Sequence, residues 1–251
     1  MNIAAVIPAC NLSDLTVQCI QHLAAGSLVP RIIYVDNGSL SHELGNVLYT
    51  LRLGNAEWNA HYFANNEGYT LAVNQGLAML RPDEHPLIMN NDCFVTKHCV
   101  ERLAAAIERD ATIGAVGPMT LGRSRHSLLT GSRSKRFAAV IEDCTLGIWD
   151  TASDLLTYIA PNEFSPPQTI SYFCTLIRRE ALDQVGHLNP RLADGLGADD
   201  EHCHRLQKAG WKTGLAVDAL ANHLERQTFT RLGLPRDVGR AKQVMREIEN
   251  A

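Results

Sequence analysis

The chain has 251 residues, 45% hydrophobic and 20% charged, the balance of a soluble globular protein with room for one substantial core. A net charge of -4 excludes a general nucleic-acid binder, which needs a basic surface. No apolar run is long enough to cross a bilayer, and the start, "MNIAAVIPACN", has neither a basic leader nor a full apolar h-region, so a cytoplasmic location is expected.

Strand and helix signals alternate through the first half. "IAAVI", Ile3 to Ile7, reads as a short buried strand stopped by Pro8. A helix follows, with Ser13 or Asp14 as its N-cap and Thr16, Cys19, Ile20 and Leu23 on one face. "RIIYVDNGS" is a second strand with Asp36 at its carboxyl end and a turn sequence behind it. "WNAHYFA" is a third strand, "YTLAVNQGLAML" a helix and "PLIMN" a fourth strand. Val100, Leu103, Ala104 and Ile107 mark a further helix, and "IGAVGPM" a further strand. This alternation predicts an α/β fold with a mostly parallel central sheet flanked by helices, and ligands at the carboxyl ends of the strands.

Periodicity weakens between residues 121 and 169, where "LGRSRHSLLTGSRSKR" and "APNEFSPPQ" read as an insertion or a substrate-binding region. The "SRSKR" run is a solvated loop, a diphosphate clamp or an approach to anionic lipid. Order returns with "TISYFCTLIRREALDQVG", a strand turning into a helix. Then come the loop "ADGLGADDE", a short helix with Cys203 and Leu206 inward, and the strand "KTGLAV". The organisation expected is one domain over residues 1–225, with a nucleotide-binding half (1–120) and an acceptor-binding half (121–225), and a basic tail over 226–251. The tail's Leu232, Leu234, Val238 and Val244 at loose helical spacing suit membrane-surface attachment or a dimer contact, and equally a plain solvated helix.

Seven cysteines at 10, 19, 93, 99, 144, 174 and 203 include no C-x-x-C pair, which fits reduced thiols in the core. The sequons at Asn11 and Asn37 are chance matches in a cytoplasmic protein. His202 and His204 are two apart, so a helix points them to nearly opposite sides and they cannot jointly chelate.

The acids are the sharper signal. Asp92 ends the buried strand of "LIMNNDCFV", and a carboxylate there is costly unless something pairs with it. A divalent cation is one such partner, and hard oxygen ligands suit Mn²⁺ or Mg²⁺. Asp36 ends another strand and is a turn residue on the plain reading. Asp199, Asp200 and Glu201 open a helix, where first-turn charges complement the dipole without any further role.

Seven segments, ordered from Ile3 to His223, resemble the family 2 glycosyltransferases, inverting enzymes of the GT-A fold. "IAAVIPACN" resembles their opening strand and nucleotide loop, which implies donor contacts at Pro8 and Ala9. "YVDNGS" resembles the segment whose Asp contacts the donor's base or ribose, here Asp36. "NNEGYTLAVNQGL" resembles N-x-G-x-x-x-A-x-N-x-G, with Asn66, Gly68 and Asn74 as substrate-side positions. "LIMNNDCFV" resembles the L-N-x-D form of the metal-binding D-x-D, with Asn90 and Asp92 outermost and Asn91 between. "CTLIRREALDQVG" resembles L-I-R-R-E-x-L-x-x-V-G. "GADDEHCHRLQKAGW" resembles G-E-D-x-D-L-C-x-R-L-x-x-x-G-Y. Counted back from Arg205, that register makes Asp199 the general base, gives Glu201 the later acid's substrate-binding place and puts Ala198 where the family has Glu. "ALANHLE" resembles a late V-x-H whose His reaches the metal, here His223, which by itself also reads as a buried, satisfied His.

The resemblance implies a metal-dependent transferase moving a sugar from a nucleotide-sugar donor to a glycan or lipid-linked glycan, with no nucleic-acid partner. "NNDCF" and the small size resemble rhamnosyltransferase-like members that build bacterial surface polysaccharide, a setting compatible with a peripheral place at the inner face of the membrane. Ala198 and the neutral Asn90 are departures that leave a catalytically impaired relative as the alternative. A sugar nucleotidyltransferase would want a glycine- and arginine-rich phosphate loop, and "IPACNLSD" is neither. Oligomeric state is not written in these motifs.

Overall fold

The computed structural model describes residues 1–120, 126, 149–166, 169–224, 227–233 and 238–249. Strand β1 (Asn2–Ala9) is buried from Ile3 onward, as a strand covered on both faces must be. Its side chains alternate: Ile3, Ala5, Ile7 and Ala9 enter one core cluster, Ala4 and Val6 the other. β2 (Arg31–Asn37) pairs with β1 in parallel, β3 (Trp58–Phe63) with β2, and β4 (Glu84–Met89) with the opposite side of β1. The connections run through α1 (Ser13–Ala24), α2 (Ser41–Leu53) and α3 (Tyr69–Leu77). The strand order therefore reverses between β1 and β4, which opens a crevice at their carboxyl ends.

Beyond β4 the sheet is mixed. After β5 (Cys93–Val95), α4 (Cys99–Arg109) and β6 (Ile113–Met119) come α5 (Trp149–Ile159) and β7 (Phe164–Ser165). β8 (Cys174–Ile177) inserts antiparallel between β4 and β6. α6 (Arg179–Val185) and α7 (Ala198–Lys208) precede β9 (Lys212–His223), which runs parallel to β6 and then pairs antiparallel with β5. That last pairing puts Cys93 opposite His223, next to Asp92. The fold is thus α/β with one central sheet flanked by helices, parallel through its first four strands.

Several elements differ from expectation. Pro8 lies inside β1, opposite Val35. The β4 side of β1 is paired no further than Val6, so the N–H that proline lacks costs no ladder bond there. Ser13 is the first residue of α1, not its cap; Leu12 precedes it at φ 55. The cap comes from α2, whose Glu43 Oε2 accepts the Ser13 N–H at 2.8 Å. Those Ser13 hydrogen bonds hold the Glu43 carboxyl below its usual range. α2 itself was hidden behind the turn sequence, although Leu44, Val47, Leu48 and Leu51 have helical spacing. α5 falls in the region read as an insertion, and β9 is twice the length of "KTGLAV". "SRSKR" and Cys144 lie outside the described residues.

The tail holds α8 (Gln227–Leu232) and α9 (Val238–Glu249). Val244 is 5% exposed and belongs to the second core cluster, with Ile248 packed against it. Arg191 pairs with Glu247, and Arg231 with Asp14 at 2.9 Å. This corrects the assignment of Val244 to a membrane or dimer surface, because its side chain is buried in the core; Leu234 lies outside the described residues. Among the described residues no helix is long and apolar enough to cross a membrane.

His202 is a core residue. Its Nε2–H donates to the Gly186 carbonyl at 3.0 Å, and Nδ1 accepts from the Tyr172 hydroxyl at 2.7 Å. Burial first, then the Arg205 charge, lowers its pKa to about 3. Above the unfolded value of about 6.5 both states are neutral and stability is full. Below it the unfolded chain takes up a proton that the fold refuses, so stability falls as pH drops from about 6.5 toward 3. Urea midpoints are expected to fall more steeply with acidification for the wild type than for His202→Gln, although that variant starts lower at neutral pH. Parallel curves would remove His202 as a source of acid sensitivity.

Candidate active site

Three loops meet at the crevice. The chain leaving β1 turns through Asn11 and Leu12, both left-handed at φ 54 and 55, a costly conformation for residues other than glycine. It is knitted to the loop after β2: Asn11 N–H donates to Ser39 Oγ at 2.7 Å, and Asn11 Oδ1 accepts from Leu40 N–H at 2.8 Å. Ala9 pairs with Asp36 in the sheet register, so Pro8, Ala9 and Asp36 lie side by side. Asp36 is 2% exposed. Its oxygens accept from Tyr34 hydroxyl and Ser39 N–H, each at 3.1 Å. Two donors hold this buried carboxylate aimed from the strand end. Its charge, after burial itself, raises the pKa of neighbouring Cys10.

The glycine motif before α3 is mainly a docking device. Gly68 has φ 91, and a Cβ there would sit 2.5 Å from the Ala193 carbonyl oxygen. Thr70 N–H donates to that same oxygen at 3.1 Å, and the Thr70 hydroxyl to Leu192 O. Asn74 donates to Leu188 O at 2.8 Å and accepts from Leu188 N–H at 3.0 Å. Asn66 Oδ1 accepts from Asn37 and from Gly68 N–H, and its amide nitrogen reaches Cys10 Sγ at 3.5 Å. Both polar atoms of the Asn74 amide thus bond the segment before Asp199. Asn91 is 4% exposed and donates to Thr16 Oγ1 at 3.0 Å, which fastens the β4 turn to α1.

Asn90, Asp92 and His223 do converge. Asp92 Oδ1 lies 3.3 Å from His223 Nε2, and Asn90 Nδ2 lies 3.2 Å from the same nitrogen. Asn90 N–H donates to Phe173 O at 2.9 Å, and the His223 ring stacks on Phe173 at 4.7 Å and 8°. Phe173 was not singled out in the sequence. Nor was Tyr69, whose hydroxyl donates to Asn90 Oδ1 at 2.9 Å. Among the described residues no group of three or more His, Cys, Asp and Glu side chains could hold a metal ion. The chemistry of the pair still suits a divalent cation: two donors bound to one ion at right angles, each about 2.1 Å away, lie about 3 Å apart.

Asp199 stands in the first turn of α7, behind the left-handed Gly197, and its Oδ1 accepts from Asp200 N–H at 2.9 Å. Burial, then the charges of Asp199 and Asp92, raise the pKa of the Tyr69 phenol and keep it protonated, so both acids bear on one side chain. Glu201 is buried and gives both oxygens to Arg205, at 2.7 and 2.8 Å, which also reaches the carbonyls of Val185 and His187. Its carboxylate braces α7 against the chain after α6. Ala198 is 1% exposed in the core, so a Glu at that place would have to be buried.

The sequence matches the family described as Glycosyl transferase family 2 over residues 4–186. No curated protein matches it. Solved structures of similar fold include S. aureus TarS 1–349, 13% identical over 92% of this chain and 63% of that one, at a TM-score of 0.63. Another is GalNAc-T7 with UDP, GalNAc and Mn²⁺, 17% identical over 89% and 44%, at 0.62. A third is the mannosyltransferase PcManGT from Pyrobaculum calidifontis in complex with GDP-Man and Mn²⁺, 16% identical over 92% and 59%, at 0.63. This chain spans 44% to 63% of the length of those three, and identities this low speak to fold alone. The fold is that of the GT-A enzymes, and the chain belongs to glycosyl transferase family 2.

Proposed function

We propose that the protein is a metal-dependent inverting glycosyltransferase, moving a sugar from a nucleoside-diphosphate sugar to a hydroxyl of a glycan or lipid-linked glycan. The observation that carries this reading is the convergence of Asn90, Asp92 and His223 at the carboxyl end of β4. Contacts from α3 pin the segment leading to Asp199 beside it. The ligands named in similar structures, UDP-GlcNAc and GDP-Man, support a nucleoside diphosphate donor. Their Mn²⁺ supports a divalent cation, Mn²⁺ or Mg²⁺, held by Asp92 and His223. When bound, such a cation neutralises charge on a departing diphosphate.

The chain's own groups then have separate work. Asp36 holds the nucleoside from the end of β2, beside Pro8 and Ala9. Asn90 offers an amide to the donor without adding negative charge that would repel the diphosphate. Asp199 takes the proton of the acceptor hydroxyl as its oxygen bonds to the anomeric carbon and the bond to the diphosphate breaks. One displacement of this kind inverts the anomeric centre. The subtype proposed is that of rhamnosyltransferase-like enzymes of bacterial surface polysaccharide, on the "NNDCF" form and the small size.

Calorimetry with UDP, GDP and dTDP, with and without Mn²⁺, tests the reading. Binding of at least one nucleotide that strengthens with Mn²⁺ is expected, and no heat from any of them sinks it. The neutral Asn90 and the buried Ala198 favour one second reading, a relative that binds donor without transferring it. Slow Mn²⁺-dependent hydrolysis of a bound nucleotide sugar argues against that alternative.

A further inference from the structure

We propose that Phe173 is a positioning residue, whose ring fixes the plane of the His223 imidazole and so the direction from which that side chain meets a cation beside Asp92. The proposal rests on the reading of Asp92 and His223 as cation ligands. A histidine meets a metal in the plane of its ring, so whatever sets the ring's orientation sets its fitness as a ligand. The Phe173 and His223 rings are 8° from parallel, with centroids 4.7 Å apart. A turn of the imidazole about its Cβ–Cγ bond would drive one of its edges into the phenyl face. The stack therefore has room for the ring in one plane. In that plane Nε2 lies 3.3 Å from Asp92 Oδ1, close to the separation of two donors on one ion.

Phe173 works as a wall because it is itself held. It is 2% exposed and leads directly into β8, which is paired on both sides, with β4 and with β6. Its carbonyl accepts the Asn90 N–H at 2.9 Å, so one residue fixes the backbone of Asn90 and the ring of His223. Its ring also meets that of His126, at 5.0 Å and 53°. His126 is fully buried and tied at both nitrogens: Nδ1–H donates to the Pro118 carbonyl at 2.9 Å, and Nε2 accepts from Ser171 N–H at 2.7 Å. Gly117 makes the space for it, since a Cβ there would come within 2.7 Å of His126 Cε1. The neighbouring Tyr172 belongs to the other core cluster, where its hydroxyl holds His202 of α7. Two successive residues thus brace different parts of the site from opposite faces of the sheet.

The test is Mn²⁺ affinity, followed by electron paramagnetic resonance in the presence of whichever of UDP, GDP and dTDP binds. Phe173→Met fills most of the same space with a flexible chain that has no flat face. It should weaken Mn²⁺ about tenfold, at the low end of what outer-sphere partners contribute. Phe173→Leu makes the same measurement if the methionine variant does not fold. Tyr172→Phe is the control for packing: it removes a buried hydrogen bond from the same segment and should lower the melting temperature without changing Mn²⁺ affinity. In a His223→Ala background Phe173→Met should cost no further affinity, because Phe173 acts through that ring. Equal losses of affinity in the Phe173 and Tyr172 variants, or an undiminished loss in the His223→Ala background, would reduce Phe173 to a packing residue. Unchanged affinity in a folded Phe173 variant overturns the proposal. If Asp92→Asn and His223→Ala also leave Mn²⁺ binding unchanged, the cation assignment itself is wrong, whereas effects there without one at Phe173 defeat this inference alone.

Discussion

Asp199→Asn is expected to lower the rate of sugar transfer by roughly two to four orders of magnitude while leaving nucleotide affinity unchanged. The substitution keeps the volume at the start of α7 and removes the proton acceptor. Asp200→Asn should cost far less. Neighbours on a helix point about 100° apart, so one of the two faces the crevice and the other serves the helix N-terminus. The structure gives a reason to choose between them. Tyr69, at the crevice, has its pKa raised by burial and then by the charges of Asp199 and Asp92. Both Asp199 and Asp200 bear on Cys203, whose thiol burial first of all pushes up to about 12. The measurement is the transfer rate of both variants with one acceptor, donor binding being followed separately. An inactive Asp200 variant beside an active Asp199 variant would move the base by one residue. Full activity in both would end the general-base role of this loop.

Asp92→Asn should weaken Mn²⁺-dependent nucleotide binding by more than about a hundredfold, beyond the range typical of outer-sphere changes. Asp92 is 4% exposed and supplies the carboxylate in the cluster with Asn90 and His223. Loss of an anionic ligand from so small a set is not made good by solvent. The fold should survive, because an amide of equal size replaces a buried charge whose nearest ionisable partner is a histidine. Calorimetric titration with and without Mn²⁺, beside a thermal melt, separates the two effects. Unchanged Mn²⁺ dependence in a folded variant refutes the assignment of Asp92 to the cation.

The glycine motif makes long-range contacts that its sequence does not display. The family resemblance makes Asn74 and Gly68 substrate-side positions. Their atoms face the 188–193 segment, which a sequence places more than a hundred residues away. What they contribute is the placement of the segment that leads to Asp199. Glu201 is similar: a carboxylate one turn before an arginine reads equally as a ligand or as a helical ion pair, and both of its oxygens are taken by Arg205.

The local sequence by itself determined the strands that are buried on both faces. Continuous apolar runs such as Ile3–Ile7 and Ile32–Val35 admit little else, and their alternation with helices implies parallel crossovers. It also located the acids near strand ends, since Asp36 directly follows an apolar run and Asp92 follows one after two amides. Tertiary structure alone decided what those acids meet. His223 comes to Asp92 because β9 outruns its parallel pairing with β6 and turns to pair with β5, a register that no local pattern encodes. The Ser13 cap comes from Glu43 for the same kind of reason, as does the contact of Tyr69 with Asn90. Hydrophobic periodicity reports which face of an element is buried. Hydrogen bonds between elements depend on distances of a few ångströms, and these exist only after the sheet has fixed where each strand ends.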